Sequence, residues 1–377
     1  MFMKGYASIM AKPQHIKEAI GFDDINLLPN FSDVGSRKDI DTSSHIAKVI
    51  WQKEEQTELK YPIILSPMDT VSSVESCIAM NEIGAAGVLH RFMSWDDRVA
   101  QAKEIKEKSG KCYFAVGLDD FDRLNVIQNL VDLYFLDVAH GTTKKVFDFI
   151  REYNELYGYM NIPIITGNTL TMESVGKHFD LGSDGVRHGI GGGSVCLTTE
   201  MTGIGCPFLT SNYYACKAQK EWKHRTGNTF VPTILQDGGI RKPADLVKAI
   251  ASGCDAVIVG GLFGGCRETP GEVYSENGDF PYKVYRGMAS AGVQEDYELY
   301  TSGENKFVEG DEYTVPYTDK SVVDVVHELN NGLRSAMSYL GFNTLKQLKG
   351  SLWTDDVMAV RVTPNASYES TAHRKSW

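Results

Sequence analysis

The chain has 377 residues, 42% of them hydrophobic, 23% charged and 10% aromatic, with a formal net charge of −11. That length buries a sizeable core, as one large domain or two ordinary ones, and the composition is that of a soluble globular protein. The acidic balance argues against broad binding to nucleic acid or to an anionic membrane surface, but leaves room for a small anionic substrate held by backbone amides.

Residues 1–20 read as a short leader without chemistry. A mixed acidic and apolar stretch runs from Gly21 to Pro29, and a polar run occupies 52–60. From there short apolar runs alternate with amphipathic ones. Strands are predicted at 62–65, 86–89, 112–116, 133–136, 163–166, 185–187, 233–236 and 256–259. Helices are predicted at 74–82, 95–108, 120–130, 143–157, 172–178, 211–225 and 243–251. This alternation favours a parallel (β/α)8 TIM barrel as one catalytic domain over 21–363. A doubly wound open sheet is the alternative; it wants a GxGxxG after the first strand, and Leu65-Ser-Pro-Met-Asp-Thr-Val71 is not one. Beyond the strands, Tyr285-Arg-Gly-Met-Ala-Ser290 reads as a tight turn, 291–312 as a polar flap, 322–340 as an amphipathic helix ending at Gly341, and 364–377 as a polar tail.

In a barrel the chemistry belongs at the C-terminal ends of the strands. Those ends carry Ser66-Pro-Met-Asp69, His90-Arg91, Asp137-Val-Ala-His-Gly141, Gly167-Asn168, Asp237-Gly-Gly239 and Gly260-Gly261. After the sixth strand comes Gly189-Ile-Gly-Gly-Gly-Ser-Val-Cys196-Leu-Thr198. Glycines let such a loop wrap an ion or a phosphate, and a cysteine at its end is a presented nucleophile. Taken alone, Thr198 reads as a helix cap and Glu309 as one acid in a solvated run. The seven cysteines (77, 112, 196, 206, 216, 254, 266) are scattered without a CxxC pair. Such a set reads as reduced and intracellular, and structural zinc spacing is missing. With no apolar h-region at the start and no 18-residue apolar run, neither signal peptide nor membrane span is expected, and the expected location is the cytoplasm.

The order and spacing of Pro67-Met-Asp-Thr-Val71, Asp137-Val-Ala-His-Gly141, Gly167-Asn168, the cysteine loop, Asp237-Gly-Gly239, Gly260-Gly261, Tyr285-Arg-Gly-Met288, Glu309-Gly310 and Gly332-Leu-Arg-Ser335 resemble the IMP dehydrogenase/GMP reductase family over residues 21–373. The resemblance implies that the Cys196 thiolate attacks C2 of a purine nucleotide to give a thioimidate, with hydride passing between C2 and a nicotinamide. It implies that Ser194, Gly239, Gly260, Gly261 and Tyr285 hold the phosphate, Asp237 the ribose, and Met288 and Ala289 the base, with Gly238, Gly287 and Gly310 completing the substrate pocket. Asp137, Val138, Ala139, Asn168, Gly191 and Ser335 are implied for the cofactor. The carbonyls of Gly191, Gly193 and Cys196 are implied for a monovalent cation, K+, and a homotetramer is implied for the assembly.

Within the family, the reductase branch uses a threonine two residues past the cysteine together with a glutamate, here Thr198 and Glu309. The dehydrogenase branch uses an Arg-Tyr pair on a longer flap, and residues 290–309 contain no arginine. The stretch between Arg91 and Cys112 is too short for the regulatory (CBS) insertion of many dehydrogenases. These features favour an NADPH-dependent GMP reductase, acting on GMP to give IMP. Other segments, among them Ser66-Pro-Met-Asp-Thr, Glu268-Thr-Pro-Gly-Glu272 and Glu369-Ser370, lie closer to the dehydrogenase, and Lys306 and Val308 stand where the reductase has arginine and serine. Oxidation of IMP to XMP with NAD and purine sensing without turnover are the other readings.

Overall fold

In a computed structural model, the structure describes residues 17–47, 57–275, 280–297, 308–354, 356–363 and 365–366. Eight parallel strands close into a barrel: β1 (Ile63–Leu65), β2 (Ala86–Leu89), β3 (Tyr113–Val116), β4 (Leu133–Leu136), β5 (Ile164–Thr169), β6 (Gly185–His188), β7 (Thr233–Asp237) and β8 (Ala256–Val259). The ring shuts where β8 pairs with β1, matching Val259 to Leu65. The TIM-barrel expectation holds, and each predicted strand lies within three residues of an observed one. β5 runs past its predicted end, so Gly167 and Asn168 sit in the strand itself.

The strands alternate between two buried faces, the usual state of a parallel sheet covered by helices. Ile64, Val88, Ala115, Phe135, Ile165, Leu235 and Ile258 pack inside the barrel, joined from below by Ile46 and Leu59. Ile63, Leu65, Leu89, Phe114, Tyr134 and Val257 face the outer helices. Those helices are α1 (Val74–Ile83), α2 (Trp95–Ser109), α3 (Lys144–Tyr157), α4 (Met172–Asp180), α6 (Phe208–Thr226) and α7 (Pro243–Ala251), while the short α5 (Thr198–Thr202) lies in the loop after β6 and buries none of its residues.

The helix expected at 120–130 is instead a run of 3-10 turns, Leu118–Ile127. Asp119, Asp120, Asp122 and Asn125 are weak helix formers whose side chains compete for backbone partners. Asp120 does so here: its Oδ2 accepts from Gly117 N at 2.7 Å, and Arg98 Nη1 binds it at 2.9 Å.

After β8 the chain leaves the barrel to form an antiparallel hairpin, β9 (Tyr282–Arg286) with β10 (Glu312–Pro316), separated by the short α8 (Ala291–Asp296). It then returns as α9 (Val322–Leu340), whose boundaries match the expected ones. α9 packs against α7 and α1 and so fills the eighth helix position at the closing seam. The hairpin is thus an insertion between β8 and its helix, raised over the C-terminal mouth. Most of the expected leader (1–16), the middle of the expected flap (298–307) and nearly all of the expected tail lie outside the described residues. Among the described residues no helix is long and apolar enough to cross a membrane.

Candidate active site

β6 ends at His188, and the following loop turns through Gly189 (φ +124°) and Gly191 (φ +78°), conformations that favour glycine. Cys196 N donates to Gly193 O at 3.1 Å, which closes the loop around the cysteine. Residues 309–311 lie antiparallel against it: Leu197 N donates to Glu309 O at 2.8 Å and Asp311 N to Val195 O at 2.9 Å. This stitching brings Glu309 into line with Cys196 and with Thr198, which lies 111 residues before it in the chain. Cys196 Sγ donates to Thr198 Oγ1 at 3.2 Å, and Thr198 Oγ1 donates to Glu309 Oε2 at 2.9 Å. Thr198 opens α5 but makes no cap with its side chain. Cys196 is half-buried. Burial pushes up the thiol pKa of each of the other six cysteines, Cys77 and Cys266 to about 12, and all of these but the half-buried Cys206 are buried as packing residues.

A second cluster closes the barrel mouth from within. Arg187 takes an inward position on β6, in register with Leu235. Its Nη1 binds Asp137 Oδ1 at 2.6 Å and its Nη2 binds Asp237 Oδ2 at 2.7 Å. Arg91 adds a second contact to Asp137 at 3.2 Å. Burial opposes ionisation of Asp137, but Arg187 and Arg91 outweigh it and hold the carboxyl below its ordinary range. Burial likewise opposes the Arg187 charge, and the Asp237 and Asp137 carboxylates outweigh it. Asn168 Nδ2 donates to Asp237 Oδ2 at 2.7 Å and to Gly189 O at 3.0 Å, linking this cluster to the cysteine loop. Asn168 N donates to Val138 O at 3.3 Å. Asp137, Val138, Asn168 and Asp237 are therefore neighbours.

The residues expected at the phosphate also converge. A Cβ on Gly260 would lie 2.6 Å from Tyr285 Oη, and one on Gly261 2.9 Å from Ser194 Oγ. Gly239 packs on the Phe208 ring, which also floors Gly189 and Gly192. Met288 is fixed from beneath: its Sδ accepts from Asp69 N at 3.4 Å, while Arg286 binds Asp69 at 2.5 Å and Asp296 at 2.6 Å. Gly287 N donates to Asp311 O at 2.9 Å and Gly310 N to Ala289 O at 3.1 Å, so the expected base contacts adjoin the Glu309 segment. A cavity of about 370 Å³ opens beside Asp69, Thr70, His90, Arg286 and Tyr297, next to Met288; no residue of the cysteine loop lines it.

Ser335 stands apart. It lies on α9, which packs on α7 and α1 outside the ring. The described residues hold no group of three or more His, Cys, Asp or Glu that could bind a metal ion. Arg91 stands at a strand end already singled out in the sequence, whereas the parts taken by Arg187 and Phe208 are apparent only in the fold. Only Arg187 left a signal, a charged residue inside an otherwise apolar strand run, Gly185-Val-Arg187.

Over residues 19–373 the chain matches the family described as the IMP dehydrogenase / GMP reductase domain. It is 31% identical to an inosine-5'-monophosphate dehydrogenase of Cryptosporidium parvum over 410 residues, covering 96% of each chain. It is 29% identical to a GMP reductase of Ascaris suum over 363 residues (94% of this chain, 96% of that one). It is 31% identical to a GMP reductase of Onchocerca volvulus over 340 residues (87% and 88%).

Proposed function

The chain belongs to the IMP dehydrogenase / GMP reductase family, and on that premise we propose that it is an NADPH-dependent GMP reductase. The observation that carries this reading is the line Cys196–Thr198–Glu309. Along it the thiol proton passes to Thr198 Oγ1 as the threonine proton passes to Glu309 Oε2, leaving a thiolate and a protonated carboxyl. The thiolate attacks C2 of GMP, and the stored proton returns through Thr198 to the departing amino group. Ammonia leaves and a thioimidate remains on Cys196. When bound, NADPH supplies hydride to C2, and expulsion of the thiolate gives IMP. The balance is GMP + NADPH + 2H⁺ → IMP + NADP⁺ + NH₄⁺. No water is activated, which accords with the absence of arginine from 290–309.

In this reading Ser194, Gly239, Gly260, Gly261 and Tyr285 hold the phosphate, and Asp237 the ribose. Asp237 takes Asn168 and Arg187 on Oδ2, so Oδ1 serves the sugar hydroxyls. Asn168 uses both Nδ2 hydrogens on protein acceptors, which leaves its Oδ1 for the nicotinamide amide. Gly193 O keeps a lone pair after accepting the Cys196 amide. It can therefore join the carbonyls of Gly191 and Cys196 around K⁺, and dependence of the rate on potassium tests that. Ser335 meets a cofactor only if a second copy brings its mouth to α9, as a homotetramer would. The location proposed is the cytoplasm.

The second reading, oxidation of IMP to XMP with NAD, is favoured by the dehydrogenase relative at 31% identity. A panel of purine mononucleotides against oxidised and reduced nicotinamides separates the two. Loss of NADPH absorbance with GMP, abolished by Cys196→Ala, supports the reductase; NADH formation from IMP supports the dehydrogenase.

A further inference from the structure

Beneath the two glycine loops runs a row of buried amides that none of the roles above uses. Gln236, just before Asp237 on β7, is 0% exposed; Ser252 is 0% exposed and Asn212, on α6, 1%. Asn212 Nδ2 donates to Gln236 Oε1 at 2.8 Å and to Ser252 Oγ at 2.9 Å. Ser252 Oγ donates to Ala249 O at 2.9 Å. Gln236 Nε2 donates to Gly238 O at 2.9 Å.

The direction of this row is fixed from one end. Ser252 has a single hydrogen, used on Ala249, so toward Asn212 it can only accept. Asn212 therefore presents Nδ2, and Gln236 must answer with Oε1. The Nε2 of Gln236 is then committed to Gly238. Gly238 has φ +88°, and a Cβ on it would sit 3.2 Å from Gly193 Cα, so the 237–239 loop and the cysteine loop lie in contact. Gly238 N donates to Ile258 O at 3.0 Å. Both polar groups of Gly238 are thus gripped from within the barrel wall, the amide by β8 and the carbonyl by Gln236.

We infer that Gln236 is a positioning residue for nucleotide binding: its side-chain amide, oriented by Asn212 and Ser252, sets the 237–239 loop and through it the Gly193 edge of the cysteine loop. The assignment rests on the proposed purine-mononucleotide reading of that loop. An apolar side chain at 236 leaves the partly buried Gly238 O without its donor and one Nδ2 hydrogen of Asn212 unpaired in the core, the other staying on Ser252. The loop relieves this by turning the carbonyl away, which carries Asp237 with it.

Gln236→Met keeps the length and removes both hydrogen bonds. Binding of GMP and IMP to the full chain is followed by calorimetry, with KM, kcat and Tm measured alongside. The expected result is a rise of about tenfold in Kd and KM, with kcat within about twofold. A folded variant with the parent Kd overturns the assignment even if its Tm falls, because Gln236 then only fills the core. A parent chain that binds neither nucleotide overturns the functional reading, and this assignment with it. Should Gln236→Met not fold, Asn212→Ala bears the same test. Freeing Gln236 to turn raises Kd severalfold if the assignment holds, and an unchanged Kd overturns it.

Discussion

The floor and the mouth of this barrel follow one alternation of side chains and solve opposite problems. Ile64, Phe135, Leu235 and Ile258 fill the lower interior, where removal from water is itself the stabilising term. At the mouth the inward position on β6 is Arg187, and the same burial becomes a penalty that only Asp137 and Asp237 offset. The floor tolerates imperfect packing at modest cost. The mouth has no such margin, because each charge there is held in place by the others.

The largest break in that comparison is chemical. Cys196→Ala leaves floor and mouth intact, and the expected loss in turnover is at least about 10³-fold with Tm shifted by no more than about 2 °C; steady-state rates and thermal unfolding check both. Next comes Arg187→Met, which removes the cation shared by two carboxylates and leaves Asp137 only Arg91 and Asp237 only Asn168. A loss of about 3–5 kcal/mol in denaturant unfolding is expected, with weakened nucleotide binding. Thr198→Val cuts the proton line without touching packing, and a fall of about 10²-fold in kcat is expected with KM little changed.

Acid sharpens the contrast further. Burial lowers the pKa of His90, His178 and His188 to about 4. The unfolded chain therefore binds more protons than the folded one between pH 6.5 and about 4, and stability falls as pH drops through that window. The loss is on the order of 2 kcal/mol per histidine by pH 5, read from urea midpoints across pH. The smallest effect belongs to the floor: Ile64→Val costs about 1 kcal/mol, with kinetic constants unchanged.

The barrel was legible because its strands are short apolar runs at even spacing, and the Cys196 loop because its glycines and cysteine sit in one stretch; Thr198 on its own reads as a helix cap. Glu309 could be named only through the resemblance, since its approach to Thr198 depends on the hairpin folding back over the mouth. The segment after β3 misled because an apolar periodicity, Phe121, Leu124 and Ile127, was read over aspartates that favour turns. Gln236 and Asn212 left no sequence signal: one is a polar residue in a strand and the other a polar residue on a helix, and only the closed ring brings them together.

The most direct test is covalent. The full chain is mixed with GMP and NADPH, quenched in acid during turnover, and digested for mass spectrometry. A purine nucleotide carried on the peptide containing Cys196, and lost in Cys196→Ala, is the predicted result. Turnover of GMP with Cys196 unmodified, or with the nucleotide on another cysteine, contradicts it.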